Sequence, residues 1–326
     1  MARDVGPSAP WDVGRDEGHR PESAGRELPR GGRGSGSSRP RGRGADDVRD
    51  ALAQQLDLPR SATRTHVAVG DRTYALRESE VRTLAAIGAF RVIDASDAGD
   101  AGDLGGGRRD HWHGDVEHLR TSGLLTVTPH VLDGRRTTLV TLTREGHAVL
   151  DQHRRTEPDR PSQAFYAGLA KPRELTHDAQ LYRAYVVAAE RLHAGGARVQ
   201  RVVLDYELKR EYQRFLQDHN RTHRRRSGRP DRTPDEVRQW AKDHDLPMVR
   251  DRVQFPDVRI EYEHPDGRRD HEDLELATGH YTSRQMAAKR ASGFTLHHSV
   301  AGRLRGAGGR AGASPFDPKV AAGLLR

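Results

Sequence analysis

Asp257, Asp273 and Glu275 are the side chains in this sequence whose type and spacing best suit chemistry. Phe255-Pro256-Asp257-Val258 leads into one β-favouring run, Pro265-Asp266-Gly267 makes a turn, and Asp273-Leu274-Glu275 lies in a second run. The expected structure is a hairpin, Val258–Glu263 against Arg269–Ala277. Alternation along a strand puts Asp273, Glu275 and Ala277 on one face and Leu274 and Leu276 on the other, with Asp257 at the head of the first strand. Three converging carboxylates can hold a hard divalent cation, and Mg²⁺ held this way activates water and steadies a phosphate. The competing reading is a solvated acidic strand face.

Other groups carry less. His111-Trp112-His113 and His297-His298 supply imidazoles, but nothing at ligand spacing completes a zinc site. Arg224-Arg225-Arg226 suits the backbone of a nucleic-acid duplex, or is simply an exposed loop. Glu190 reads either as a further ligand or as a salt-bridging surface acid, and Tyr281 as a structural residue. Gly105-Gly106-Gly107 lacks the Lys-Ser/Thr continuation of a phosphate loop.

The elements that position these residues occupy part of a strongly polar chain. Of 326 residues, 34% are hydrophobic and 31% charged, so the apolar ones must be concentrated to form a core. Lys+Arg number 55 against 47 Asp+Glu, a net charge of +8, which favours a polyanionic partner, most simply nucleic acid. There are no cysteines, which removes disulfides and thiolate zinc sites and fits a reducing cytoplasm. No apolar run approaches a membrane span and the start lacks a signal-peptide apolar region, so a soluble cytoplasmic protein with no membrane partner is expected.

Residues 1–72 read as a Gly/Arg/Pro-rich disordered tail and lead-in, and 299–326 as a second tail. The first folded region is expected over 73–155. It has a helix over Glu78–Phe90, a loop over Ala98–Arg109, a short helix Gly114–Thr121, and a hairpin turning at Asp133-Gly134-Arg135-Arg136. A last helix starts at Thr143. Residues 156–174 read as a linker. The second region, 175–298, offers a helix begun near Thr176, a strand Arg198–Tyr206 and a helix Glu207–Asp218. Thr233-Pro234-Asp235-Glu236 opens another helix, followed by the acidic hairpin, a helix Thr282–Ser292 and a short strand.

Glu78–Arg154 resembles winged helix-turn-helix domains of the MarR type, through Gly123-Leu124, Asp133-Gly134-Arg135 and Leu142-Thr143-Arg144-Glu145-Gly146. The resemblance implies a groove-reading helix over Trp112–Thr121 presenting His113, His118 and Arg120, with Arg135 and Arg136 in the wing. Asp115 and Glu117 make that helix unusually acidic, and winged helices also serve as protein-interaction modules.

With the two middle helices left out as an insertion, the order helix, strand, strand, strand, helix, strand, with Pro256-Asp257 before one strand and an acid-x-acid pair on the next, resembles the PD-(D/E)XK nuclease fold. With the upstream winged helix, the chain resembles the replication-relaxation family of plasmid and mobile-element proteins. His177-Asp178, Glu207, Pro256-Asp257 and Asp273-Leu274-Glu275 through Thr278 match that family's short motifs. The resemblance implies an α+β chain of two domains, DNA as partner with possible mobilisation or replication proteins, and Mg²⁺ on Asp257, Asp273 and Glu275. The nuclease pattern ends in lysine, and neither Glu275 nor Ala277 supplies it; Arg284 or Lys289 from the following helix are the substitutes, Lys289 being the chosen one. Arg224, Arg225 and Arg226 would join the DNA contacts. The alternative is a non-enzymatic accessory protein or transcriptional regulator on a degenerate nuclease-like platform.

Overall fold

A four-stranded and a three-stranded sheet, two two-stranded pairs and the helices packed on them make up the described residues, 47–95, 97, 109–132, 135–156, 161–168, 175–222, 232–277 and 283–298 of a computed structural model. The class is mixed α+β. These residues all belong to one compact unit, Ala45–Arg326. Among them, no helix is long and apolar enough to cross a membrane.

Order begins well before residue 73, which corrects the expected lead-in. Helix α1 (Asp50–Ala53) and strands β1 (Thr65–Val69) and β2 (Arg72–Leu76), an antiparallel pair, precede it. Val48, Leu52, Leu56 and Leu58 are the reason, since all four are buried in the main core. Helix α2 (Glu78–Phe90) opens with Glu80 reaching back to accept the Arg77 N–H at 3.0 Å, a cap that satisfies an otherwise orphaned donor.

Strand β3 (Ile93–Asp94), helix α3 (Arg109–Thr121) and strands β4 (Leu125–Leu132) and β5 (Arg135–Leu142) follow, with sheet order β3-β5-β4. Helix α3 starts earlier than its expected Gly114, and Arg135 and Arg136 lie within β5 rather than in the turn. The turn pair 133–134 and the expected loop 98–108 lie outside the described residues.

The Leu-Thr-x-x-Gly motif has a steric cause. Thr143 caps α4 (Arg144–Gln152) by accepting the Gly146 N–H at 3.0 Å, while its hydroxyl donates to the Gly123 carbonyl at 2.7 Å. A Cβ at Gly146 would sit 2.2 Å from the Leu124 carbonyl oxygen, so only glycine lets α4 lie this close to the hairpin.

Helix α5 (Leu175–Ala194) and strand β6 (Arg198–Leu204) begin the second sheet, and β6 is its edge. That edge is covered by amide side chains in place of a strand. Gln163 accepts the Val202 N–H and donates to the Val202 carbonyl, both at 2.9 Å, and Gln54 donates to Val199 and Gln200 carbonyls. The stretch expected as a linker therefore carries buried residues, Gln163 and Phe165 among them. Phe90 of α2 meets Tyr182 and Tyr185 of α5 at centroid distances of 5.3 and 5.0 Å, so one core runs through both expected domains.

Helices α6 (Asp205–Thr222) and α7 (Pro234–Asp243) and the small pair β7 (Met248–Val249) and β8 (Arg252–Val253) are inserted after β6. Thr233, Pro234 and Glu236 form the expected start of α7, with reciprocal bonds of 3.2 and 2.8 Å. Strands β9 (Val258–Glu263) and β10 (Arg269–Ala277), helix α8 (Ser283–Ala291) and strand β11 (Thr295–His298) complete the sheet β11-β10-β9-β6. Only the β10–β11 pair is parallel, and α8 is the crossover that parallel pairing requires.

Candidate active site

The β9–β10 register decides which acids meet. Arg259 pairs with Asp273 and Val258 with Leu274, where the ladder ends, and Asp257 just beyond it bonds the Leu274 carbonyl and the Leu276 N–H, the two neighbours of Glu275. The expected shared face exists, but it is not a solvated one. Glu275 has no exposed surface, and Asp257 is buried. From α8, the Lys289 ammonium donates to Glu275 Oε2 and to the Phe255 carbonyl, both at 2.8 Å, and lies 5.3 Å from the Phe294 ring centre.

Asp257 is fixed on several sides. Its N–H donates to Leu274 O at 3.0 Å and its carbonyl accepts the Asp205 N–H at 3.1 Å. Its Oδ2 accepts the Leu276 N–H at 2.8 Å and lies 3.1 Å from His177 Nε2. Its Oδ1 takes no hydrogen bond from another described residue.

Asp273 does not join this group, which corrects its assignment as a ligand and catalytic acid. Arg259 grips it with Nε at 2.7 Å and Nη2 at 2.9 Å, and the same guanidinium donates to the His244 and Asp245 carbonyls at 2.7 and 2.9 Å. The pair closes the C-terminal end of α7 onto the sheet, where cationic donors suit exposed helix carbonyls. Two residues along a strand is also about 6.6 Å of rise, so Asp273 and Glu275 face different partners. Among the described residues, no three His, Asp or Glu side chains gather closely enough to hold an ion.

His177 and Asp178, at the start of α5, form the remaining wall. His177 Nδ1 lies 3.4 Å from Asp178 Oδ1. Burial disfavours charge on the ring, but the Asp178 and Asp257 carboxylates outweigh it and raise its pKa to about 10. Burial likewise works against the Asp257 carboxylate, yet His177, the Leu276 N–H and Lys289 together hold its pKa below the ordinary 3.8. A raised histidine contributes stability in full below its ordinary 6.5 and loses it as pH rises through about 10. A lowered carboxylate contributes above 3.8 and loses that as pH falls through its depressed value. The pair is therefore charged across the neutral range. The stability gap between wild type and His177→Gln, read by thermal melts, should be widest below pH 6.5 and shrink steadily towards about pH 10. A gap constant with pH would contradict this charge state.

Arg91 belongs to no motif in the sequence, and only the fold reveals it. It ends α2 with φ 66° and ψ −50°, and the Val92 N–H donates to the Phe90 carbonyl across it at 2.7 Å. This is the strained, positive-φ form of γ-turn. It carries the guanidinium to 3.9 Å from Asp178 Oδ2 and 5.6 Å from the Tyr206 ring centre. A side chain from the first half of the chain thus reaches the wall of the candidate site.

The expected DNA-facing residues divide. His113 and Arg136 are exposed. His118 Nδ1 lies 2.9 Å from Glu80, which Arg64 also holds, and Arg120 pairs with Glu117 at 2.6 Å. Asp115 is buried and bound by Arg77 at 2.6 Å, so it faces inward and leaves the outer face of α3 less acidic than the sequence suggests. The side chains of Arg135 and Arg284, and all of Arg224, Arg225, Arg226 and Tyr281, lie outside the described residues. Glu190 is exposed on α5.

Comparison with family models, with curated proteins and with solved structures returned no match.

Proposed function

We propose that the protein binds DNA and cleaves or grips it through a nuclease-like site of Asp257, Glu275 and Lys289, with Mg²⁺ as cofactor. The observation that carries this reading is the meeting of Lys289 with Glu275 at 2.8 Å, beside the Leu276 N–H that Asp257 accepts, in the order helix, three antiparallel strands, helix, parallel strand once α6, α7 and the β7–β8 pair are set aside as an insertion. This order supports the resemblance to PD-(D/E)XK nucleases and, with α2, α3 and the β4–β5 hairpin upstream, to the replication-relaxation family. Asp273, expected as a third ligand, is left out.

Two carboxylates fit Mg²⁺, which commonly takes one or two protein carboxylates and completes its shell with water and substrate phosphate. Asp257 Oδ1 and the Glu275 carboxylate, which Lys289 also holds, would be its donors. The ion's contribution when bound would be to polarise a phosphate and lower the pKa of a water. The protein's own groups divide the remaining work. Lys289 orients Glu275 and adds positive charge beside the phosphate. Protonated His177 holds Asp257 in one orientation through the oxygen left to it. The winged-helix-like half would recruit the duplex through His113 and Arg136.

The test is nicking of supercoiled plasmid. Wild type should nick with Mg²⁺ and not with chelator, and Asp257→Asn should lower the rate by roughly 10²–10³-fold, the loss of several kcal/mol of charge stabilisation. A specific observation favours a second reading, a non-enzymatic DNA-binding accessory or regulator. Glu275 and Lys289, and Asp257 and His177, already neutralise one another. A wild type that shifts DNA in a gel yet leaves plasmid intact with Mg²⁺ or Mn²⁺ establishes that reading instead.

A further inference from the structure

Helix α6 starts at the candidate site, where the Asp205 N–H donates to the Asp257 carbonyl at 3.1 Å. Its side chains are sorted by charge. At 100° per residue, Tyr206, Arg210, Gln213, Arg214 and Gln217 fall within about 100° of arc, and all five are exposed. None of the helix's acids, Asp205, Glu207, Glu211 and Asp218, lies on that arc. Arg210 and Arg214 make no ion pair or hydrogen bond among the described residues.

Tyr206 heads the stripe, nearest the site. It is 48% exposed, one of only three large hydrophobic side chains so exposed among the described residues. Its ring is nevertheless braced, edge-on to Tyr166 at 6.1 Å and beside the Arg91 guanidinium at 5.6 Å. A fixed, wet aromatic ring followed at one-turn intervals by two unpartnered guanidiniums has the composition of a single-strand track: a stacking platform for a base, then cations for successive phosphates. A duplex keeps its bases stacked on one another and has no use for the ring.

We propose that this face of α6 binds a single strand of nucleic acid, with a base on Tyr206 and the backbone on Arg210 and Arg214, feeding the strand toward Asp257. The inference rests on reading the Asp257 site as one that handles nucleic acid, and it names the form of the substrate.

The test is fluorescence anisotropy with a labelled oligothymidine and a blunt duplex of equal length, in chelator so that nothing is cleaved. The full chain is compared with Tyr206→Ala, Tyr206→Phe and the double variant Arg210→Glu/Arg214→Glu. All sites are exposed, so thermal midpoints should stay unchanged. Tyr206→Ala should bind the single strand roughly 5- to 100-fold more weakly and Tyr206→Phe should restore it, as loss and return of one stacked base require. The double variant should lower the slope of log affinity against log salt by about 1.4, two phosphate contacts on a single strand. Duplex affinity should fall much less. Unchanged single-strand affinity in both variants overturns the proposal, and so does an equal loss for duplex and single strand with no effect at Tyr206. Loss of single-strand binding in a protein that never nicks plasmid keeps this inference and removes the nuclease reading. Nicking with binding untouched by the variants does the reverse.

Discussion

Lys289→Ala should lower the stability of the fold by about 3 kcal/mol, and with it abolish any nicking. Glu275 has no exposed surface, and Lys289 is the cation placed against it. Removing one partner of a buried ion pair costs about 3–5 kcal/mol, because the other charge stays desolvated. The lower end applies since Lys289 keeps 20% of its side chain in water. For a unit of this size the thermal midpoint should drop by roughly 6–12 °C. The paired change Lys289→Met with Glu275→Met should recover much of that stability, since apolar replacement of a whole buried pair is often neutral. The double variant should still not nick. A single variant as stable as wild type would mean that water reaches Glu275 and that the pair is a surface contact.

Arg259→Ala should destabilise to a similar degree, by about 3–5 kcal/mol, through a different set of groups. It strips Asp273 of both its guanidinium bonds and frees the His244 and Asp245 carbonyls at the end of α7. Arg259→Lys should rescue little, because a point charge cannot serve a carboxylate and two carbonyls with one planar fork. Urea denaturation of the three proteins reads this directly. Protein that remains folded should keep its specific nicking activity, since the pair stands apart from Asp257 and Glu275. Nicking lost in step with each folded molecule's Arg259 would return Asp273 to the site.

The acidic hairpin was legible because alternation and a proline/Asp-Gly turn fix both its strands and the side on which Glu275 lies. Lys289 was legible as a candidate because the acid-x-acid pair lacks its expected lysine and the next helix offers few cations. The fate of Asp273 was not. An arginine at an alternate position of a neighbouring strand looks like any polar strand residue, and only the register aligns Arg259 with Asp273. The opening of the fold was hidden for another reason. Val48, Leu52 and Leu56 sit in a helix of four residues and its flanks, too short to register as periodicity. Gln163 and Gln54 act by replacing a strand's hydrogen bonds with side-chain amides, which leaves no pattern in sequence. Arg91 is the hardest case, since a positive-φ turn there is signalled by neither glycine nor asparagine.

In the proposed site Asp257 and Glu275 form the working pair while Asp273 belongs to the scaffold. Asp257→Asn and Asp273→Asn, assayed side by side on supercoiled plasmid with activity normalised to folded protein, test it most directly. Asp257→Asn should nick roughly 10²–10³-fold more slowly, and Asp273→Asn should nick at a rate within a few-fold of wild type. Equal loss in both variants, or activity surviving in Asp257→Asn alone, would return Asp273 to the site in place of that pair.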